Sequence, residues 1–300
     1  MSRLPQFLIE KIENEYGEET AKKIINGYKV QRKTTLRINT LKSNEEKVKR
    51  CLEDNNILYK VSSFWENALI IENSDESIIK RLDVFNNGEI YLQSLSSMLP
   101  PIILCPKENE DILDMTAAPG GKTTEIAALS NNKAHITACE MNKIRFERLK
   151  YNIDMQGAKC VYAMQEDARR IDDFFSFDKI LLDAPCTGSG TININDSKLN
   201  EYFTENLLQK SIKSQKMLIN KAIKILKNGG ELIYSTCSIL KEENEAIIED
   251  LMKNNNIEVV NINVKEFEKL PKLHTNIKGT ICLMPTNEFE GFFVAKLKKM

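Results

Sequence analysis

The chain has 300 residues, 42% hydrophobic and 28% charged, with a formal net charge of −1. That length and composition fit one large domain with a smaller companion and a substantial buried core. Seven cysteines without a C-x-x-C pair, and only His135 and His274 beside them, offer no zinc ligand spacing and exclude a metal centre of that kind. No apolar signal segment or run of membrane-spanning length is present, which argues against a secreted disulfide framework and for reduced thiols in a cytoplasmic, membrane-free protein.

In chain order, helix-like stretches at Leu4 to Tyr28 and Asn44 to Asn55 flank the alternating run Thr35 to Leu41. A polar Asn/Asp/Glu/Ser-rich middle follows, then Gln93 to Leu99 running into Pro100-Pro101. These elements read as a small mixed appendage ending near residue 110. Between residues 22 and 50, ten basic side chains face only Glu45 and Glu46, an excess of +8 that suits a phosphate backbone or a solvated helix face. From residue 111 apolar strands alternate with amphipathic helices: Asp111–Met115, Lys122–Ser130, His135–Glu140, Lys143–Met155, Cys160–Gln165, Lys179–Asp183, Glu205–Lys227, Glu231–Ser235 and Glu242–Asn254, with further strands at Ile257–Val264 and Gly291–Leu297. Such alternation means βαβ units and a parallel sheet.

The first strand of that sheet ends in Thr116-Ala117-Ala118-Pro119-Gly120-Gly121-Lys122, a Gly-Gly turn opening a helix, where free N–H groups and small residues let a ligand approach. A P-loop needs glycine five residues before Gly121, where Thr116 stands, and a G-x-G-x-x-G is also missing, so nucleoside triphosphates and nicotinamides are disfavoured. Glu140 ends the second strand, placed for ribose hydroxyls; Asp167 follows the third, within reach of an adenine amino group; Asp183 ends the fourth. Intact hydroxyls, no phosphate clamp and an adenine pocket point to S-adenosylmethionine as cofactor. Cys186 and Cys237 follow the ends of two strands, so the fold can bring them together at the ligand crevice, which points to covalent chemistry.

The set Thr35-Leu36-Arg37-Ile38-Asn39-Thr40-Leu41-Lys42, Gln93 to Ser97, Ala117-Ala118-Pro119-Gly120-Gly121-Lys122, Asp183-Ala184-Pro185-Cys186-Thr187-Gly188, Ser235-Thr236-Cys237-Ser238 and Gly291-Phe292-Phe293-Val294-Ala295 resembles, in this order, the Nop/Sun family of RNA cytosine-C5 methyltransferases. Thr116 departs from a common cysteine and Thr187 from a common serine. The resemblance implies an α/β fold, the Rossmann-like sheet of class I methyltransferases, mostly parallel with its last strand antiparallel, carrying a small N-terminal α+β appendage. It implies an RNA-contacting appendage over residues 1–110 and a catalytic domain over 111–300, acting as a monomer on rRNA or tRNA to form 5-methylcytosine. Thr116 to Lys122 with Glu140, Asp167 and Asp183 are implied to bind S-adenosylmethionine, Cys237 to be the nucleophile and Cys186 to assist release, while Asp183 meets the pyrimidine edge. The DNA-type alternative attacks instead with the cysteine of Pro185-Cys186. Two other functions compete: a non-catalytic RNA-binding protein on the same fold, which needs neither thiol, and a methyltransferase for an amide or exocyclic amine, which uses an aromatic residue this chain lacks after Asp183.

Overall fold

The computed structural model describes residues 4–196, 198–262 and 264–300. It opens with helices α1 (Gln6–Tyr16) and α2 (Glu18–Lys29). The sequence pattern reads these as one helix. Gly17 splits them: at φ 78° it adopts a backbone that side chains disfavour, and its N–H closes α1 on the Glu13 carbonyl at 2.9 Å.

Next come β1 (Thr35–Ile38), α3 (Glu45–Asp54), β2 (Tyr59–Val61), β3 (Ala68–Ile71), the one-turn helices α4 (Glu76–Ile79) and α5 (Asp83–Asn86), and β4 (Ile90–Leu92). The strands form an antiparallel sheet in the order β2-β3-β1-β4. Leu36, Ile38, Leu52, Leu69 and Ile90 close a small core of its own beneath α3. The polar middle of the sequence thus holds β2 and β3, whose short runs carry too little periodicity to read.

Helix α6 (Leu95–Leu104) occupies the segment with two prolines. Ser94 caps it, and Pro101, lacking an N–H, leaves the Ser97 carbonyl free to accept Gln93 Nε2 at 3.2 Å. The large sheet then builds from β5 (Asp111–Asp114), α7 (Gly121–Leu129), β6 (His135–Cys139), α8 (Lys143–Gln156), β7 (Val161–Met164), β8 (Phe177–Asp183), α9 (Leu199–Tyr202), α10 (Glu205–Ile225), β9 (Leu226–Thr236), α11 (Glu245–Asn254), β10 (Ile257–Val260), β11 (Lys272–Leu273), β12 (Ile281–Leu283) and β13 (Phe292–Lys299). Its order is β11-β12-β13-β9-β8-β5-β6-β7, with β10 also beside β13. Strands β5 to β9 are parallel and β13 runs against β9, the arrangement the resemblance implies. The expectation that 257–264 belongs to the parallel series is corrected: β10 pairs antiparallel with the end of β13.

The order reverses at β5, which lies between β8 and β6, so the turns after β5 and β8 open side by side at the sheet's carboxyl edge, the place where such folds bind ligands. Helices α10 and α11 cover one face; α6, α7 and α8 cover the other. Helices α1 and α2 pack on the α10 face through Leu8, Ile12 and Ile24, and the Tyr28 hydroxyl donates to the Ser189 carbonyl at 2.6 Å.

Candidate active site

The turn between β5 and α7 is held from three sides. Thr116 Oγ1 donates to the Asp183 carbonyl at 2.8 Å, Arg145 Nη2 to the Ala118 carbonyl at 2.7 Å, and Asn152 Nδ2 to the Pro119 carbonyl at 2.7 Å. Gly120 stands at φ 109°, where any side chain is strained, and a Cβ there would lie 3.1 Å from Leu149 Cδ1. Beneath the turn Asp114 is fully buried and accepts Thr123 Oγ1 at 2.7 Å. Burial pushes its carboxyl up to about 6, against the pull of that hydrogen bond and of the Lys122 charge.

Two cavities meet here. The first, about 290 Å³, is lined by Thr116, Ala118, Glu140, Asp167, Asp183 and Arg145 among others. The second, about 310 Å³, lies toward the appendage against Ala117, Pro119, Gly121, Lys122, Tyr91 and Phe292. Thr116, Ala118, Asp183 and Cys237 wall both, so a reacting centre at Cys237 is reachable from two sides. Of the sequence-assigned ligand residues, Glu140 and Asp167 line the first cavity alone, Ala117, Pro119, Gly121 and Lys122 the second alone, Thr116, Ala118 and Asp183 both, and Gly120 neither.

In the first cavity Glu140 is 4% exposed; Oε1 accepts the Asn142 N–H at 2.8 Å and Oε2 faces Arg145 Nη1 at 3.2 Å. Both Asp167 oxygens are engaged by Arg169, with Nε at 2.8 and 3.0 Å and Nη2 at 2.6 Å, and these bonds first of all hold the carboxyl below its usual range. Any donor brought to Asp167 would share it with Arg169. With each guanidinium already matched to a carboxylate, the cavity suits a ligand of hydroxyls and positive charge better than a phosphate.

Cys237 lies on the wall common to both cavities, and Cys186 beside it lines the first. Cys186, on the turn after β8, and Cys237, directly after β9, are 51 residues apart in sequence and 3.1 Å apart at sulfur. Two thiols this close do not both ionise. The hydrogen bond to Cys237, burial, and the nearby charges of Cys237 and Glu243 push the Cys186 thiol well above its usual range, so Cys186 is the one that stays protonated. Asp183 sits in register with Ser235. Its Oδ1 accepts Ser235 Oγ at 2.7 Å and its Oδ2 accepts Lys122 Nζ at 2.8 Å. Lys122 also donates to Ser97 Oγ at 2.8 Å and lies 5.6 Å over the Phe292 ring. Burial works against its charge, but Asp183 outweighs it and the ammonium is held above its usual range. The lysine thus serves Asp183 from the side of the second cavity.

Sequence reasoning passed over several of these groups. Arg145 reads as one of three cations on a solvated helix face, and only the fold turns it onto Glu140 and Ala118. Ser97 sits inside a recognised motif with no chemistry of its own in the sequence. Of the two readings of residues 22–50, the solvated face fits the side chains at Lys22, Lys23, Lys47 and Arg50, which stay more than half exposed while paired. Lys22, Lys23, Lys33, Lys47 and Arg50 each pair with a glutamate of the N-terminal segment, and Lys49 pairs with Glu45. Arg37 is fully buried, with Nε on Gln93 Oε1 at 3.2 Å and Nη2 on Thr124 Oγ1 at 3.1 Å. Its place is against α7, out of contact with solvent. Among the described residues no helix is long and apolar enough to cross a membrane, and no cluster of His, Cys, Asp and Glu is arranged to hold a metal ion.

Known proteins place the chain. A family profile described as 16S rRNA methyltransferase RsmB/F matches residues 101–298, and a RsmF/B-like ferredoxin-like domain profile matches 4–76. The 25S rRNA (cytosine-C(5))-methyltransferase nop2 of Schizosaccharomyces pombe is 32% identical over 98% of this chain and 51% of its own length. A tRNA (cytosine(72)-C(5))-methyltransferase of Pyrococcus horikoshii is 38% identical over 74% of this chain and 55% of its own. The chain spans about half the length of these curated relatives. The crystal structure of NSun6 from Pyrococcus horikoshii with SFG superposes with a TM-score of 0.87 at 27% identity, covering 99% of both chains. With the profile matched across most of its length, and the Ala-Pro-Gly-Gly-Lys turn and both cysteine turns at one sheet edge, the chain belongs to the Nop/Sun family of RsmB/F-type methyltransferases.

Proposed function

We propose that this protein methylates C5 of a cytosine in RNA, rRNA or tRNA, with S-adenosylmethionine as donor and Cys237 as nucleophile. The observation that carries this reading is the 3.1 Å approach of Cys186, in the first cavity, to Cys237, on the wall shared by two cavities together with the Asp183 carboxylate. The first cavity suits S-adenosylmethionine because its carboxylates accept from hydroxyls and favour a cation; bound there, the cofactor supplies a methyl group on sulfonium. The second cavity, toward the appendage, receives the unstacked base, and the appendage holds the flanking strand.

Cytosine C5 is a weak nucleophile until sulfur adds at C6. The Cys237 thiolate forms the C6–S bond, and the displaced C5=C6 electron pair is shared between C5 and the N3/N4 edge, which Asp183 and Lys122 face. Once C5 carries the methyl group, its proton must leave. By then Cys237 is a thioether, so the hydrogen bond and charge that kept Cys186 protonated are gone. Cys186 can release its proton to solvent and take the one on C5; the C–H pair re-forms C5=C6 and the C6–S pair returns to Cys237.

The thiol variants test this. Cys237→Ala should form no covalent RNA complex, while Cys186→Ala should methylate once and accumulate a protein–RNA species that survives denaturing electrophoresis. Accumulation in Cys237→Ala and none in Cys186→Ala would assign attack to Cys186, as in the DNA-type alternative. Bulk RNA from a deletion strain that lacks no 5-methylcytidine would refute the substrate.

A further inference from the structure

The residues on either side of Cys186 are both clamped from outside its turn. Glu243 follows Cys237 by six residues, in the short helical turn Lys241–Glu243, and is fully buried. Its Oε1 accepts the Thr187 N–H at 2.8 Å and its Oε2 accepts Thr187 Oγ1 at 2.6 Å. Gln215 of α10 donates one amide group both to Glu243 Oε1 at 3.2 Å and to the Pro185 carbonyl at 3.0 Å. The Tyr234 hydroxyl, on the strand that delivers Cys237, donates to the Glu243 carbonyl at 2.6 Å. Among the described residues Glu243 has no ion pair; its oxygens are met by neutral donors.

A carboxylate buried without a cation is costly unless its position is needed. Here it ties the segment bearing Cys237 to the residue after Cys186, and Gln215 ties it to the residue before. A second tie runs between the same turns, since the Gly190 N–H donates to the Cys237 carbonyl at 2.9 Å and Ser189 Oγ lies 2.7 Å from Ser238 Oγ. The second tie fixes the turns as a whole, while Glu243 acts at the residues on either side of the thiol.

We propose that Glu243 is a positioning residue for Cys186: it fixes the turn so that the Cys186 sulfur meets the C5 proton, and its loss slows elimination rather than attack. This rests on the reading of Cys186 as the releasing group. The geometry also explains the choice of group. Thr187 presents two donors to one side chain; a carboxylate accepts one on each oxygen, and an amide can accept the N–H while its NH2 donates to the hydroxyl oxygen.

The experiment uses the full chain, methyl-tritiated S-adenosylmethionine and bulk RNA from a strain lacking the gene, with label in a protein–RNA species after denaturing electrophoresis as the readout. Glu243→Leu removes both acceptors; it should methylate once, accumulate the adduct as Cys186→Ala does, and turn over at least about tenfold more slowly than the parent. Glu243→Gln keeps an acceptor for the Thr187 N–H and an amide for its hydroxyl, so it should restore turnover and clear the adduct. Should Glu243→Leu fail to fold, Thr187→Val, which removes only the hydroxyl donor, decides in its place: adduct build-up supports the inference, and parental behaviour overturns it. Parental turnover in Glu243→Leu, or joint loss of adduct and methyl transfer in a folded protein, also overturns it. If Cys186→Ala itself shows no adduct, the two-thiol reading fails and this inference with it; if only the Glu243 variants fail to, this inference alone is wrong.

Discussion

Replacing Lys122 with methionine keeps the length that packs over Phe292 and deletes one charge. The ion pair it removes is 2.8 Å long, with side chains 14% and 28% exposed. At that distance an effective dielectric of about 20 gives an attraction of roughly 6 kcal/mol, much of it offset by desolvating the two ions. Breaking a buried pair typically costs about 3–5 kcal/mol; because Asp183 keeps solvent on one side, the expected cost is roughly 2–3 kcal/mol. Where that loss falls on the addition step, methyl transfer slows by about two orders of magnitude, at 1.36 kcal/mol per decade. Lys122 also feels the charge of Cys237, so its removal should make the sulfur a poorer nucleophile. Single-turnover methyl transfer and the rate of Cys237 alkylation by iodoacetamide, read by mass spectrometry, measure the two effects separately. A variant that folds, transfers methyl within about threefold of the parent and is alkylated at the parental rate would refute the role given to Lys122.

Two further expectations concern the thiols and the helix that buttresses their loop. Diamide or hydrogen peroxide should join Cys186 to Cys237, the two thiols giving up two protons and two electrons to the oxidant; one intramolecular bridge by peptide mapping with activity restored by dithiothreitol is expected, and a bridge elsewhere counts against the geometry. Glu15 Oε2 accepts the Lys241 N–H at 3.0 Å, and burial pushes its carboxyl from 4.5 up to about 7 with that hydrogen bond opposing. The folded protein then holds a proton that the unfolded chain releases, so this group's contribution is complete at low pH and is lost as pH rises through about 7, roughly 2–3 kcal/mol in all. Glu15→Gln should flatten that slope and melt higher than the parent above pH 7; equal slopes in urea unfolding series would disprove it.

The catalytic sheet was legible because its strands are long and apolar, its helices amphipathic, and its ligand turns fall at strand ends where chain order alone brings them together. Cys186 and Cys237 show this best: each follows an apolar run, and parallel neighbours in a sheet must present those ends side by side. The small strands β11 and β12 and the helix at Leu95–Leu104 were not, since two or three residues carry no period and paired prolines ordinarily signal a break. The charge of the N-terminal segment is likewise fixed only in three dimensions. The excess over residues 22–50 counts formal charges along the chain, whereas Lys33 and Lys47 meet Glu72 and Glu89 from well beyond that window, and Arg37 is withdrawn altogether.

The same limit explains why Glu243 was not singled out and why Lys122 reads only as part of the ligand turn. A motif names what approaches the ligand; it does not say which buried groups keep those atoms in place. The first turn of α7 carries the Lys122 side chain across to Asp183. Glu243 reads as one acid in a run of charged residues, and its burial follows from a return of the chain that only tertiary structure shows. Both supply what two neighbouring thiols require. One charge must favour the ionised nucleophile without also ionising its partner, and one anchor must hold the partner close without letting it replace the nucleophile. Lys122 stands on the side of Cys237 and Glu243 on the side of Cys186, whose thiol that charge helps to hold above its usual range.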